Sequence, residues 1–272
     1  MVTVDEIQIQ RIVADGDLDG LLSAAILKRV WEGAEVRFSH PAEIRRSDLD
    51  DYIDRHTAVV DLPFHPKCGL HIDHHLTNKP TKSQLVEAEE KGCKIIWDSA
   101  LSAARVCFDT FNHIVDLSDI EQWMEMVDKL DGGKISTDEF LSDHPIVWIG
   151  RIMNASDHDL CALLLSRITD GTSPEDLVNS EDILEKIWND IVGVVVIETT
   201  KKGQDCSAWI MENDKTVDVS SANEVPLGHK IALKDLKVGD TIFKYGHDIG
   251  KVVKEIKKGE HVHVHNVKTK KW

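Results

Sequence analysis

The sequence has no CxxC pair, and its five cysteines, Cys68, Cys93, Cys107, Cys161 and Cys206, are odd in number and widely scattered. That pattern argues against a disulfide framework or a cysteine-based metal motif and predicts buried reduced thiols. No stretch approaches the roughly 20 apolar residues of a membrane helix. The longest apolar runs, such as Val192 to Ile197, are strand-sized, and a 29% charged content also speaks against a membrane protein. The opening Met-Val-Thr-Val-Asp-Glu lacks the basic segment and long apolar core of a secretory signal, so a cytoplasmic location is expected. Low-complexity segments and internal repeats are absent as well. Positive charge is scarce in one part of the chain only. Residues 201–272 hold 14 Lys, no Arg and 10 acids, a net of +4; subtraction from the totals leaves 18 basic and 38 acidic residues in the first 200, a net of −20. An acidic body repels phosphate backbones unless divalent metals intervene, so no long duplex nucleic acid is expected as a partner. The change of sign near residue 200 suggests two modules.

What is present divides along the same line. Strand-like runs (Arg11 to Asp15, Ala34 to Phe38, Thr57 to Asp61, Leu70 to Asp73, Lys94 to Trp97) alternate with helix-like ones. The helical candidates are Leu21 to Trp31, Ser47 to Arg55 with Ser47 as N-cap, and Ser83 to Lys91. This alternation predicts an α/β domain, a largely parallel sheet with helices on both faces. A helical segment follows, with candidates at Leu101 to Phe111, Ile120 to Leu130, Leu160 to Ile168 and Ser173 to Trp188. Trp123, Trp148 and Trp188 fall in apolar-patterned segments and are expected in the core. Beyond Ile191, short strand candidates (Val192 to Glu198, Ala208 to Met211, Thr216 to Val219, Lys230 to Leu233, Thr241 to Lys244, Val252 to Ile256, Val262 to Val267) predict a small all-β module. The boundary is expected between Thr172 and Asn189, giving domains 1–185 and 188–272.

The acids are not spread at random. Asp15, Asp17 and Asp19 follow one strand and open a helix; Asp61 ends a second strand; Asp73, His74 and His75 end a third. In a doubly wound sheet, ligands bind beyond the carboxyl ends of the strands. Carboxylates crowded in a cleft repel one another unless cations join them. Carboxylate with imidazole suits Mn²⁺, Mg²⁺ or Zn²⁺, and two such ions about 3.5–4 Å apart can clamp a phosphoryl group.

Gly16-Asp17-Leu18-Asp19-Gly20-Leu21-Leu22-Ser23-Ala24, Val59-Val60-Asp61 and Asp73-His74-His75 are similar to motifs I, II and III of the DHH phosphoesterase superfamily, over roughly residues 10–135. The resemblance implies two divalent ions, Mn²⁺ or Mg²⁺. Asp17 and Asp61 would hold one, with Asp61 bridging to the second; Asp19, His74 and Asp131 would hold that second ion. Asp131 is taken as the single acid of motif IV, with Asp128 the alternative. His75 would contact the substrate phosphate and Asp73 would orient the histidines. Asp15 stands where the family usually has a histidine, and a carboxylate there can still bind Mn²⁺ or Mg²⁺. No glycine-rich, histidine-containing segment between residues 135 and 200 matches the family's usual substrate domain. Ser102 and Arg105 either reach the substrate phosphate or serve as cap and surface charge. His65 and His71 either join the site or are turn and strand histidines.

Val225 to Leu233, Lys244 to Gly250 and Gly259-Glu260-His261-Val262-His263-Val264-His265-Asn266 resemble the SAF-type β-clip domain of altronate and galactarate dehydratases and of sulfolactate sulfo-lyase, over about residues 188–272. His261, His263 and His265 alternate, so a strand would set them on one face with Val262 and Val264 toward the core. That face would bind a transition metal or a sugar-acid carboxylate, or simply be solvated. Three functions follow. The first is metal-dependent hydrolysis of a small phosphoester, a phosphoanhydride or a short oligonucleotide. The second is service as small subunit or accessory to a hydroxy-acid dehydratase, which needs a separate large subunit. The third is a nucleotide- and metal-binding protein without turnover. A homo-oligomer stays open.

Overall fold

The computed structural model describes residues 7–269, apart from residues 141, 143, 154, 156, 181, 184–191, 196, 211–214, 245 and 246. It divides into two compact units, Met1–Asn179 and Ser180–Trp272. The expected boundary near residues 185–188, the end of the helix expected to run to Trp188, and Trp188 itself lie outside the described residues.

The first unit opens with β1 (Arg11–Asp15), α1 (Leu18–Val30), β2 (Glu35–Ser39), α2 (Pro41–Arg45), β3 (Thr57–Val60), β4 (Leu70–Asp73), α3 (Lys82–Glu90) and β5 (Lys94–Trp97). The strands form one sheet in the order β2-β1-β3-β4-β5, every pair parallel. β3 and β4 are buried at every residue, as central strands of a two-faced parallel sheet must be. On one face Val13 and Val59 pack with Ile44, Leu49, Ile53 and Ala88. On the other lie α1 and α4 (Ala103–Phe111). Helices α5 (Glu121–Asp131), α6 (Thr137–Phe140), α7 (Pro145–Ile152), α8 (His158–Thr169) and α9 (Pro174–Val178) complete the unit. Trp123 and Trp148 are buried there. Among the described residues no helix is long and apolar enough to cross a membrane.

The helix expected from Ser47 to Arg55 is not formed. Pro41, with φ already suited to a first helical turn, starts α2 six residues earlier. Ser47 then adopts a left-handed φ of 62° and stops it. Leu49 and Ile53 are both buried. Their i, i+4 spacing mimics a helix, but a chain of turns satisfies it. α7 is an element the sequence reading missed; its signals are Pro145 at the first helical position and the buried run Ile146–Ile149.

The second unit is antiparallel. It contains β6 (Val192–Val194), β7 (Asp205–Ile210), β8 (Lys215–Ser220), β9 (Lys230–Ala232), β10 (Thr241–Lys244), β11 (His247–Val252), β12 (His261–Val262) and β13 (Val267–Lys268). They form a β10-β11-β13 sheet, a β12-β9-β6 sheet and a β7-β8 hairpin. Val192, Ala232, Leu236, Ile242, Val252, Ile256 and Val262 make its core. The strand expected over Val262 to Val267 is broken. β12 pairs with β9 and β13 with β11, so the chain changes sheets between them. Asn266 enforces the break: its Oδ1 accepts from His263 N at 2.9 Å and its Nδ2 donates to His261 O at 2.9 Å. Such side-chain-to-backbone closure is why asparagine favours turns. The expectation that Val264 faces the core fails accordingly, because Val264 is 63% exposed.

Candidate metal centre

Each acid of the first unit reaches the sheet's carboxyl end for a local reason. β1 ends at Asp15, whose Oδ1 accepts from Gly16 N at 2.7 Å. Asp17 is the N-cap of α1 and accepts from Gly20 N at 2.9 Å. Asp19, in the first turn of α1, is buried and accepts from Ala103 N and Ala104 N, both at 2.7 Å, so it also holds the start of α4. Asp61 follows β3 with a left-handed φ of 58°. That conformation costs roughly 1–2 kcal/mol and is concentrated at functional sites. Asp131 is the last residue of α5.

Beside the group of Asp61, Asp73, His74 and His75, two donor sets with no residue in common result. Asp15, Asp17 and Asp61 bring one oxygen each within 4.8 Å of one another; Asp19, His74 and Asp131 do the same. Asp61 joins them: its Oδ1 lies 3.7 Å from His74 Nε2. His74 Nε2 is also 3.7 Å from Asp19 and 3.1 Å from Asp131. His74 Nδ1 donates to Ala100 O at 3.2 Å, so Nε2 faces the acids and is the nitrogen that offers a lone pair once the ring gives up its second proton. Asp73 is buried, and its Oδ1 accepts from His74 N, His75 N and His75 Nδ1, while Asn78 donates to Oδ2 at 2.7 Å. It is fully used in orienting its neighbours. His75, with a side chain 44% exposed, keeps Nε2 free for solvent.

The electrostatics follow from crowding. Burial first, then Asp131 and Asp17, push the Asp19 carboxyl up to about 8. Burial and Asp17 raise Asp15 to about 6. Burial, then Asp19, raises Asp61 well above the carboxylate range, and burial also raises Asp17. Burial opposes charge on His74, but Asp131 and Asp19 outweigh it and hold the imidazole up at about 9. Burial would raise Asp73 as well, yet the bonds from His75 and Asn78 keep it lowered. Two buried atoms in this cluster, Asp61 Oδ1 and His74 Nε2, have no hydrogen-bond partner. Orphaned buried polar atoms are costly. A divalent cation between them removes that cost, so the donor set fits Mn²⁺ or Mg²⁺.

Other candidates lie elsewhere. Ser102 is fully buried: its hydroxyl donates to Asp128 at 2.6 Å and caps α4 by accepting from Arg105 N. Arg105 pairs with Asp128 at 2.7 Å. Both expected phosphate contacts are therefore turned to Asp128, which is itself spent on them and not on the metal cluster. His65 binds Asp50 at 3.0 Å and His71 binds Leu62 O at 2.9 Å, away from the donors. Asn78, which bonds Asp73 from five residues along the chain, and Ala100 O, which positions His74, were not anticipated; the second acts through a tertiary contact that carries no local sequence signal.

In the second unit the histidines cluster differently from the expected His261, His263 and His265. His229, His261 and His263 form the compact trio, and His265 lies beside His261 with ring centroids 5.5 Å apart. Breaking the strand at Asn266 removes the alternation that would have aligned the three. His229 carried a signal: it directly precedes the strand that pairs with His261.

Comparison with known proteins agrees with this division. Residues 181–270 match the altronate/galactarate dehydratase SAF domain family. The α subunit of (2R)-sulfolactate sulfo-lyase from Chromohalobacter salexigens is 50% identical over 84 residues, 31% of this chain and 89% of that subunit. The altronate dehydratase of Bacillus subtilis is 47% identical over 53 residues, 20% of this chain and 11% of that enzyme. Among solved structures, the pGpG-specific phosphodiesterase PggH of Vibrio cholerae superposes with a TM-score of 0.52 at 25% identity, covering 65% of this chain; the chain spans 58% of that protein's length. The chain thus joins a DHH-type α/β domain to a C-terminal β-clip, and through that β-clip it belongs to the altronate/galactarate dehydratase SAF family.

Proposed function

We propose that the first unit hydrolyses a small phosphoester or phosphoanhydride with two divalent ions, Mn²⁺ or Mg²⁺, and that short linear oligonucleotides are its first substrate class. One observation carries the reading: Asp61 Oδ1 and His74 Nε2, buried and without a hydrogen bond, lie 3.7 Å apart at the junction of two donor sets. Asp15, Asp17 and Asp61 would hold one ion; Asp19, His74 and Asp131 would hold the other, with Asp61 shared. Ions bound there would neutralise phosphoryl oxygens and lower the pKa of water. The chain's own groups do the rest. Asp73 fixes the half-exposed His75 ring through Nδ1 and favours its protonated form, so Nε2 is left to donate to a phosphate oxygen. The likeness to a protein named for pGpG supports a dinucleotide as the first substrate to assay.

The test is release of mononucleotide from pGpG by the purified protein with Mn²⁺ or Mg²⁺, against a chelator control. Asp61→Asn is the informative variant, because asparagine tolerates the left-handed φ. Its activity should fall at least about 100-fold with the thermal midpoint of the metal-free protein unchanged or raised. Wild-type rates in Asp61→Asn, or no metal-dependent turnover across a panel of phosphoesters, would refute the reading.

A second reading is favoured by the likeness of the C-terminal unit to a lyase α subunit. The chain would then work with a separate large subunit on a hydroxy acid. Co-purification of such a subunit, with activity on a hydroxy acid only in the complex, would support it. Turnover of phosphoesters by the lone chain would favour the first reading. Tight nucleotide binding without product would identify a binding protein.

A further inference from the structure

The second unit carries donors that phosphoester hydrolysis does not use. His229 immediately precedes β9, His261 opens β12, and His263 stands in the turn that Asn266 closes. β12 and β9 pair with His261 opposite Ile231 and Val262 opposite Lys230. Because Val262 pairs with Lys230, His263 and His229 are the residues at which the two chains leave that pairing, side by side. The rings meet accordingly: centroids are 4.7 Å apart for His229 and His263, 5.0 Å for His229 and His261, and 5.4 Å for His261 and His263. One nitrogen from each lies within 4.8 Å of the others, and His229 Nδ1 is 2.8 Å from His261 Nε2.

The backbone that presents the rings is held by side chains. Asn223 Oδ1 accepts from His261 N at 2.8 Å. Asn266, buried, accepts from His263 N and donates to His261 O. Two asparagines thus hold the backbone of the segment carrying His261 and His263. Among the described residues no carboxylate forms an ion pair with any of the three rings. Protonating several of them would set like charges side by side, so the cluster is poorly made for holding protons. Three imidazoles converging on one point are well made for a Lewis acid.

We propose that His229, His261 and His263 bind one divalent transition-metal ion of the Zn²⁺, Co²⁺ or Ni²⁺ class, with the remaining coordination positions open to solvent beside the exposed His263. Imidazole donors select such ions, whereas the acids of the first unit suit Mg²⁺ and Mn²⁺. A tetrahedral ion with nitrogens at about 2.0–2.1 Å sets the donors roughly 3.3 Å apart, so His229 Nδ1 and His261 Nε2 exchange their 2.8 Å hydrogen bond for the ion and part slightly while the His263 nitrogen draws in, movements that rotation about the side-chain bonds supplies. The site is independent of the phosphoester reading and uses none of its residues.

The test is titration of the full-length protein with Co²⁺, following the visible absorption band and the stoichiometry by calorimetry. His263→Gln alters an exposed side chain and should leave circular dichroism unchanged; His261→Ala is the second variant. Each should bind one equivalent of Co²⁺ fewer than the wild type, or bind that equivalent at least tenfold more weakly, whether or not Asp61→Asn is also present. An unchanged stoichiometry, affinity and band in both variants, or no Co²⁺ bound by the wild type, would overturn the proposal.

Discussion

Single residues in the metal centre do two jobs at once, and Asp73 separates them most cleanly. Although one of its oxygens lies within 4.8 Å of an Asp61 oxygen, its hydrogen bonds go to its chain neighbours: it accepts from His74 N, His75 N and His75 Nδ1. Asp73→Asn keeps the shape but offers His75 a weaker, neutral acceptor. Positioning partners of this kind typically contribute 10- to 100-fold. Activity of Asp73→Asn should therefore fall by about that factor. The apparent pKa of His75, followed by NMR, should also drop, because the carboxylate is the first cause holding it up. A slower enzyme with an unshifted His75 would mean that Asp73 acts only through the fold. At this scale the sequence was informative wherever chemistry is local. Asp15, Asp17 and Asp19 follow a strand at fixed spacing, and Asp61, Asp73 and His74 end strands, so their convergence needs only the sheet order. Ser102 and Arg105 could not be assigned this way. Their partner, Asp128, is more than 20 residues distant, and nothing local distinguishes it from Asp131.

Elements are held in register by close approaches that the acids alone would not enforce. A Cβ on Gly20 would sit 2.2 Å from Asp15 O, so the first turn of α1 packs directly on the end of β1. That contact is what keeps Asp15, Asp17 and Asp19 beside one another. Gly20→Ala must push helix and strand apart. It should cost at least about 2 kcal/mol by the usual scale of overpacking, read as a lower urea midpoint, and should weaken Mn²⁺ binding in parallel. Gly33→Ala is the control: it meets nothing within 4 Å and should leave the midpoint within about 0.5 kcal/mol of wild type. An equal loss in both variants would show that the close approach is not special. The order of strands and helices in the first unit was legible because period and length differ between them. The breaks were not. Ser47 stops α2 by its backbone conformation, and Asn266 splits the last strand because β12 and β13 join different sheets. Both depend on where distant segments pair, and alternation of residue type carries no record of that.

For the whole molecule, the imbalance of charge becomes a dependence of stability on pH. Asp19 is raised to about 8 and His74 to about 9 in the folded, metal-free protein, against ordinary values of 3.8 and 6.5. Both shifts are upward, so both groups are better protonated folded than unfolded. Their contribution is complete below the unfolded pKa and is lost as pH rises through the folded one. Carboxylates with lowered values, such as Asp73 and Asp119, are ionised in both states well below pH 7 and do not change above it. His71, lowered by burial, is neutral in both states by then. Between pH 7 and 9 the acid cluster and the raised thiols of Cys68, Cys107 and Cys161 act in the same direction, and the melting temperature of the metal-free protein should fall. Cations replace the lost protons at the same atoms. The rise in melting temperature caused by a fixed Mg²⁺ concentration should therefore be larger at pH 8.5 than at pH 6.5, since fewer protons compete for the donors. Differential scanning calorimetry with and without the ion measures both slopes. In Asp61→Asn the Mg²⁺-induced rise should shrink, because one shared donor is gone. A metal-free midpoint that climbs from pH 7 to 9, or a Mg²⁺ effect independent of pH, would mean that the cluster is neutralised by something other than protons and cations.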